Sequence, residues 1–288
     1  NAEKVHKADP EIILQAAAFE IVTPEVETID IPAHVFEAFD LPVEERKFRY
    51  EDMFSKWGAG RWPGGNSIPD PSRIEAKLWF YYLATSYIDI GCEAIHFGQV
   101  DLMCKDYRQW DALLAKVRAY AARHARRHWV LCDGHVPRWG LVVDDRLLLD
   151  FHSFPLRIAE VPNKPCEGEL RMNYLDTIYG RSKGGISPSG WKCEHLPYLV
   201  EIDNYGRTNA PGKPNEPCWP WGWDEIDWFA NQREAYRNEW LKYAWHWVRE
   251  NDPNGYFQMP GMRCLHDPPK GKNFYFANRA SEKTPQGF

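Results

Sequence analysis

Two short stretches repeat one chemistry. Asp133-Gly134-His135 and Asp150-Phe151-His152 each set a carboxylate and an imidazole two residues apart. Positions i and i+2 of a strand share a face, so each pair presents its acid and its His to the same side. Such a pair suits a general acid or base with its orienting partner, or two ligands of a divalent metal. A third stretch, Glu201-Ile202-Asp203-Asn204, puts two carboxylates on one face and Ile202 on the other. Two acids facing an interior are costly unless a ligand, a cation or hydrogen bonds offset them. The catalytic candidates are therefore Asp133, Asp150, Glu201 and Asp203. Glu20, His96, Gln99, His135, His152, Asn204, Gln258, Arg263 and Asn278 stand near the ends of other apolar runs and suit the binding of a hydroxyl-rich ligand. Arg263 and Arg279 would suit an acidic one. Alternation lets at most one of His96 and Gln99 face inward unless the strand ends between them. Glu93 opens its strand, which assigns it to the opposite, stabilising end.

Seven apolar runs must position these groups: 12–22, 92–99, 129–135, 147–154, 198–205, 256–262 and 273–279. Between them, apolar residues at helical spacing predict helices over 70–88, 106–127 and 224–250. Asp70-Pro71 opens the first, Asp224 caps the third, and Asn251-Asp252-Pro253 stops it. Strands alternating with helices imply parallel pairing and right-handed crossovers. Polar clusters at the carboxyl ends of strand after strand are the rim of a (β/α) barrel. The expected fold is α/β, one (β/α)8 barrel of the TIM type over 1–288, trimmed at its ends and part of a longer chain. Seven strands leave it one short, and 166–174 is the candidate for another. Long loops at 23–69, 155–197 and 206–223 would stand over the site.

Bulk properties narrow the partners. The net charge is −6 and no basic block stands out, so no nucleic-acid partner is expected. Arg123–Arg127 ends a predicted helix, where cations complement the dipole. No run of 18 apolar residues occurs, so no membrane span is expected. Among the seven cysteines, Cys92 and Cys132 lie in strands as buried thiols, while Cys166, Cys193 and Cys218 lie in loops, where a disulfide is feasible. The compartment is left open, with an extracellular setting favoured. No CxxC pair, HExxH, GxSxG, GxGxxG or GxxxxGK[ST] motif is present, which leaves structural zinc, Ser nucleophiles and nucleotide phosphates without a signature. The chain carries 14 Trp. Trp57, Trp62, Trp139, Trp191, Trp219, Trp221 and Trp223 fall in Gly/Pro-rich loops, where aromatic faces suit the apolar C–H faces of sugar rings or pack the loops themselves.

Phe19-Glu20, His96-Phe97-Gly98-Gln99, Cys132-Asp133-Gly134-His135, Asp150-Phe151-His152 and Glu201-Ile202-Asp203-Asn204, with the loop tryptophans, resemble the rim of (β/α)-barrel glycoside hydrolases over about 12–279. The Asn-Glu strand ending of the commonest barrel glycosidases is absent. The resemblance implies an oligo- or polysaccharide substrate, no cofactor, and a carboxyl pair that joins Asp133 or Asp150 to Glu201 or Asp203. A separation of ~5 Å would give retention and ~6.5–9.5 Å inversion. In that reading Trp219 and Trp221 join the substrate-binding set. Two other readings stay open. One is a metal-dependent hydrolase with a divalent ion at Asp133, His135, Asp150 and His152, though the HxH pair of barrel amidohydrolases is missing. The other is a non-catalytic carbohydrate-binding barrel.

Overall fold

Residues Ala94–Gln99 and Leu131–His135 are closed to water along almost their whole length, as strands covered on both faces must be. In the computed structural model they form the middle of a six-stranded sheet. Its strands are β1 (Gln15–Ala17), β2 (Ala94–Gln99), β3 (Leu131–His135), β4 (Phe151–Pro155), β5 (Tyr198–Glu201) and β6 (Gly255–Phe257), in the order β1-β2-β3-β4-β5-β6. The β1–β2, β2–β3, β3–β4 and β5–β6 pairings are parallel. The protein is therefore mixed α/β with strands neighbouring in chain order. Among the described residues the sheet does not close into a barrel. The structure describes all residues except 1, 136–139, 173, 175–181, 207–211, 214–219, 259, 261, 267–273 and 277–288.

Two of the expected barrel strands do not join this sheet. Gly168–Leu170 pairs antiparallel with Ile158–Glu160, and Phe274–Phe276 pairs antiparallel with Met262–Cys264. The connections are shorter than the roughly dozen residues that a parallel crossover takes, so each strand folds back on its predecessor.

The helices follow the apolar periodicity, with one break. Helix α1 is Ile74–Asp89 and α2 is Tyr107–His124, whose N-cap Asp106 accepts from the Arg108 amide. The single helix expected over 224–250 is two, α3 (Glu225–Asn231) and α4 (Glu234–Asn251). Gln232 and Arg233 between them are extended. The break leaves terminal carbonyls of α3 without helical partners, and the buried Arg237 guanidinium donates to two of this region's carbonyls, Ala230 O (3.4 Å) and Gln232 O (2.7 Å).

The chain divides into two compact units, Asn1–His152 with Arg181–Leu196, and Ser153–Gly180 with Pro197–Phe288. The first has its core around Leu78, Phe80, Ile95, Phe97, Trp110 and Leu113. The second is built around Ile202, Trp228, Phe229, Trp240, Val248 and Phe257. No helix among the described residues is long and apolar enough to cross a membrane. The six described cysteines are free; Cys218 lies outside the described residues. Burial pushes the Cys132 thiol up to about 12, which makes it an inert core residue.

Candidate functional site

In the first unit β1, β2 and β3, with the residues that follow β1, gather one polar cluster. Asp133 stands opposite His96 in the β2–β3 register. Its Oδ2 lies 2.8 Å from His96 Nδ1, and its Oδ1 accepts from Gln15 Nε2 at 2.8 Å. Asp133 is wholly buried and His96 nearly so. A carboxylate only accepts, so beside an ionised Asp133 the His96 ring proton sits on Nδ1. His135 meets His96 edge to face at 4.8 Å between ring centroids, and Phe19 does so at 6.2 Å.

The His96–Gln99 alternation is broken by a register shift between these two residues. Gly98 sits there at φ +63°. The irregularity re-aims the side chains, as bulges do, so both residues serve the cluster. Gln99 Nε2 donates to Glu20 Oε1 at 2.6 Å and its amide to Oε2 at 3.1 Å. A Cβ on Gly98 would fall 2.1 Å from Glu20 Oε2, so this position needs glycine both for its backbone and for the carboxylate beside it. Trp62 Nε1 donates to the Glu20 carbonyl at 2.9 Å, which ties the 57–67 loop to the same place. Glu20 itself is half-buried. Sequence reasoning missed Gln15, although a lone polar residue within Ile12–Ala18 was a signal.

The other acid–His pair has a different part. Asp150 has no exposed surface. Its Oδ2 accepts from the Cys132 amide (2.9 Å) and Arg118 Nη2 (3.2 Å), and its Oδ1 from the Ser189 amide (3.0 Å) and hydroxyl (2.5 Å). Four donors on a buried carboxylate make a structural tie between β3, α2 and the 182–196 segment, in place of the acid/base role expected of it. His152 is buried too, and burial, with His195 nearby, brings its imidazole down to about 3. It is neutral at ordinary pH. Asp133, His135, Asp150 and His152, offered as metal ligands, are all described residues, and among the described residues no group of three or more His, Cys, Asp or Glu side chains is arranged to hold an ion.

The second unit holds the remaining acids. Ile202 is in the core as the alternation requires, and Glu201 and Asp203 each meet an arginine. Arg263 Nη2 donates to Glu201 Oε2 at 2.7 Å and also to Ile202 O, so Arg263 serves a protein carboxylate in place of the ligand expected for it. Arg157 Nη1 lies 3.6 Å from Asp203 Oδ2 and 3.8 Å from Glu225 Oε2, with its guanidinium 3.7 Å from the centre of the Tyr205 ring. Burial holds the Glu225 carboxyl well above its ordinary range against the opposing pull of Arg157. Asp224 is likewise raised by burial, to about 6, while its Oδ1 caps α3 through the Ile226 and Asp227 amides. Asn204 Nδ2 donates to Cys264 O at 3.0 Å and Asp224 Oδ1 at 3.3 Å. Asp224, Glu225 and Asp227 went unnoticed as a group because the first turn of a helix is where acids are ordinary.

Other expected contacts are accounted for individually. Trp221 is buried rather than open to a ligand; its amide is bound by Glu160 and its indole donates to Glu167 O at 3.4 Å. A loop that buries its own aromatic needs no ligand to cover it. The Gln258 amide donates to Val200 O at 2.7 Å. Glu93 is buried at the amino end of β2 between Arg126 (2.9 Å) and Arg127 (2.8 Å), a structural knot as assigned from its position. Trp139, Trp219, Asn278 and Arg279 lie outside the described residues. No protein-family model, curated protein or solved structure matches the chain.

Proposed function

We propose that the chain is a glycoside hydrolase-like enzyme on a (β/α)-barrel plan, cleaving a glycosidic bond of an oligo- or polysaccharide at the carboxyl ends of β1, β2 and β3. The observation that carries the reading is the Gln15–Asp133–His96 relay set beside the Glu20–Gln99 pair. Glu20 is the carboxyl offered to the sugar, oriented by the two N–H groups of Gln99. His96 moves a proton at Nε2, and Asp133 fixes its tautomer. This assignment replaces the pairing of Asp133 or Asp150 with Glu201 or Asp203. Asp133 acts through His96, Asp150 is fully engaged, and both acids of β5 and its extension hold arginines. The substrate class is supported by Phe19, which adjoins Glu20 in the chain and is 59% exposed, and by Trp57, which is 51% exposed and carries the Arg61 guanidinium against its ring; exposed aromatic rings suit a sugar ring. The barrel plan is supported by the strand order, which runs in sequence without the reversal that marks doubly wound sheets.

The test is hydrolysis of a panel of aryl glycosides and polysaccharides, followed by release of reducing ends. Glu20→Gln and His96→Asn are each expected to lower kcat/KM by ~10²–10⁴-fold while the protein stays folded. Turnover that survives both substitutions, or no turnover on any glycoside, refutes the reading.

A further inference from the structure

The loop that bonds to Glu20 carries a cation with no acid to hold it. Arg61 is exposed, and among the described residues it makes no ion pair. Its Nε donates to the Trp57 carbonyl at 3.0 Å, and its guanidinium lies 4.9 Å from the centre of the Trp57 ring. This arrangement keeps the arginine extended over an aromatic plane that is itself half open to water. The loop is firmly placed. Ser67 and Val22 exchange backbone hydrogen bonds of 2.9 and 3.0 Å, the Ser67 hydroxyl accepts from the Gly60 amide at 3.1 Å and meets Tyr50 Oη at 2.8 Å, and Ile68 N donates to Gly58 O at 2.9 Å. Gly58 packs so closely that a Cβ there would stand 2.6 Å from Ile68 O. Val22 is two residues from Glu20, and Trp62, adjacent to Arg61, donates its indole N–H to Glu20 O. A strap tied to Glu20 through Trp62 and to Val22 through Ser67 thus carries one exposed guanidinium and one exposed indole.

From this we propose that Arg61 and Trp57 form a subsite for a carboxylate-bearing sugar, a uronic acid unit of the substrate chain. The guanidinium fork matches a carboxylate in a way an ammonium does not, and the indole offers a face for the ring. Of the two arginines that carried the charge hint in the sequence, Arg263 is taken by Glu201 and Arg279 lies outside the described residues, whereas Arg61 is open. The inference rests on the saccharide reading of the preceding section and adds the charge of the substrate to it.

Binding tests it without requiring turnover. The full chain is titrated by calorimetry with oligogalacturonate and with a neutral cello-oligosaccharide of equal length, at low and at raised salt. The subsite predicts tighter binding of the uronate, weakened by salt. Arg61→Met, which keeps an apolar stem over Trp57, is expected to lose about tenfold to a hundredfold of uronate affinity, the worth of a charge-assisted hydrogen bond, with no change for the neutral oligosaccharide. Arg61→Lys is expected to recover only part of the loss. Equal affinity for the two oligosaccharides, or an Arg61→Met protein that binds uronate as the unchanged protein does, overturns the subsite. Uronate binding that depends on Arg61 without hydrolysis of any glycoside would uphold the subsite and refute the hydrolase. Hydrolysis of neutral glycosides without Arg61-dependent uronate binding would do the reverse.

Discussion

Replacing Asp133 by Asn probes the centre of the proposed relay with almost no change of volume. The carboxylate accepts on both oxygens, from Gln15 Nε2 and from His96 Nδ1, each at 2.8 Å. An amide has one oxygen and one NH2 group, so it can satisfy only one of these donors in their present state. If its oxygen faces His96, the Nδ1 proton is kept but the negative charge is gone. If its NH2 faces His96, the proton must move to Nε2, and the ring ceases to be a base there. A hydrogen bond to a charged group contributes ~1.5–3 kcal/mol and a neutral one ~0.5–1.5 kcal/mol. The contact at His96 Nδ1 therefore weakens by about 1–2 kcal/mol. The Nδ1–H resonance of His96 followed by NMR reports this without a substrate. With a glycoside, kcat/KM should drop ~10²-fold or more. If the His96 ring resonances and kcat/KM both stay where they are in the unchanged protein, Asp133 does not govern His96 and the relay is wrong.

Three further outcomes follow from the same geometry. Gly98→Ala must displace Glu20, since the new methyl would lie 2.1 Å from Oε2 at a φ of +63°; thermal unfolding should show a loss of about 1–3 kcal/mol, together with most of the activity, and a protein with unchanged Tm and turnover would refute the placement. Asp224 is raised from 3.8 to about 6 when folded, so the folded state holds a proton that the unfolded state has released, and stability falls as pH rises through that window by up to ~1.4 kcal/mol per unit. Asp224→Asn keeps the helix cap and should flatten that fall in urea midpoints measured between pH 4 and 7; an unaltered slope contradicts the assignment. His152 has the opposite sign. Its imidazole falls from 6.5 to about 3 on folding, the unfolded chain binds the proton first, and stability is lost as pH drops below about 6.5. His152→Gln should remove part of this acid sensitivity, and an identical acid-unfolding curve would count against a neutral, buried His152.

The alternating pattern carried much of the fold. The runs at 92–99 and 129–135 and the periodicity of 70–88 and 106–127 all correspond to elements, because each is a local property of burial. What failed depended on partners. The 166–174 and 273–279 runs look like strands, and Gly168–Leu170 and Phe274–Phe276 within them are strands, but their short connections turn them into hairpins, and apolar content does not encode orientation. The break at Gln232–Arg233 was hidden because the freed carbonyls are satisfied by Asn231, Gln232 and Arg237, polar residues that are ordinary on a helix. At the site, the Asp133–His135 motif and the Glu20, His96 and Gln99 candidates come together in one cluster. The Asp150–His152 motif has the same spelling and is sealed in the core, since its ties come from Arg118 and Ser189, far away in sequence. Alternation alone let at most one of His96 and Gln99 face inward unless the strand ended between them; the glycine there, read as a possible bulge, would have admitted both.

In the proposed mechanism Glu20 and His96 act together on a glycosidic bond. The most direct measurement is the pH dependence of kcat/KM for the best glycoside found, in the unchanged protein, Glu20→Gln, His96→Asn and the double variant. Two groups of one mechanism should give a bell-shaped profile that loses one limb with each single substitution, and the double variant should be little worse than either single one. Limbs that persist in both variants, or losses that multiply independently, would contradict it.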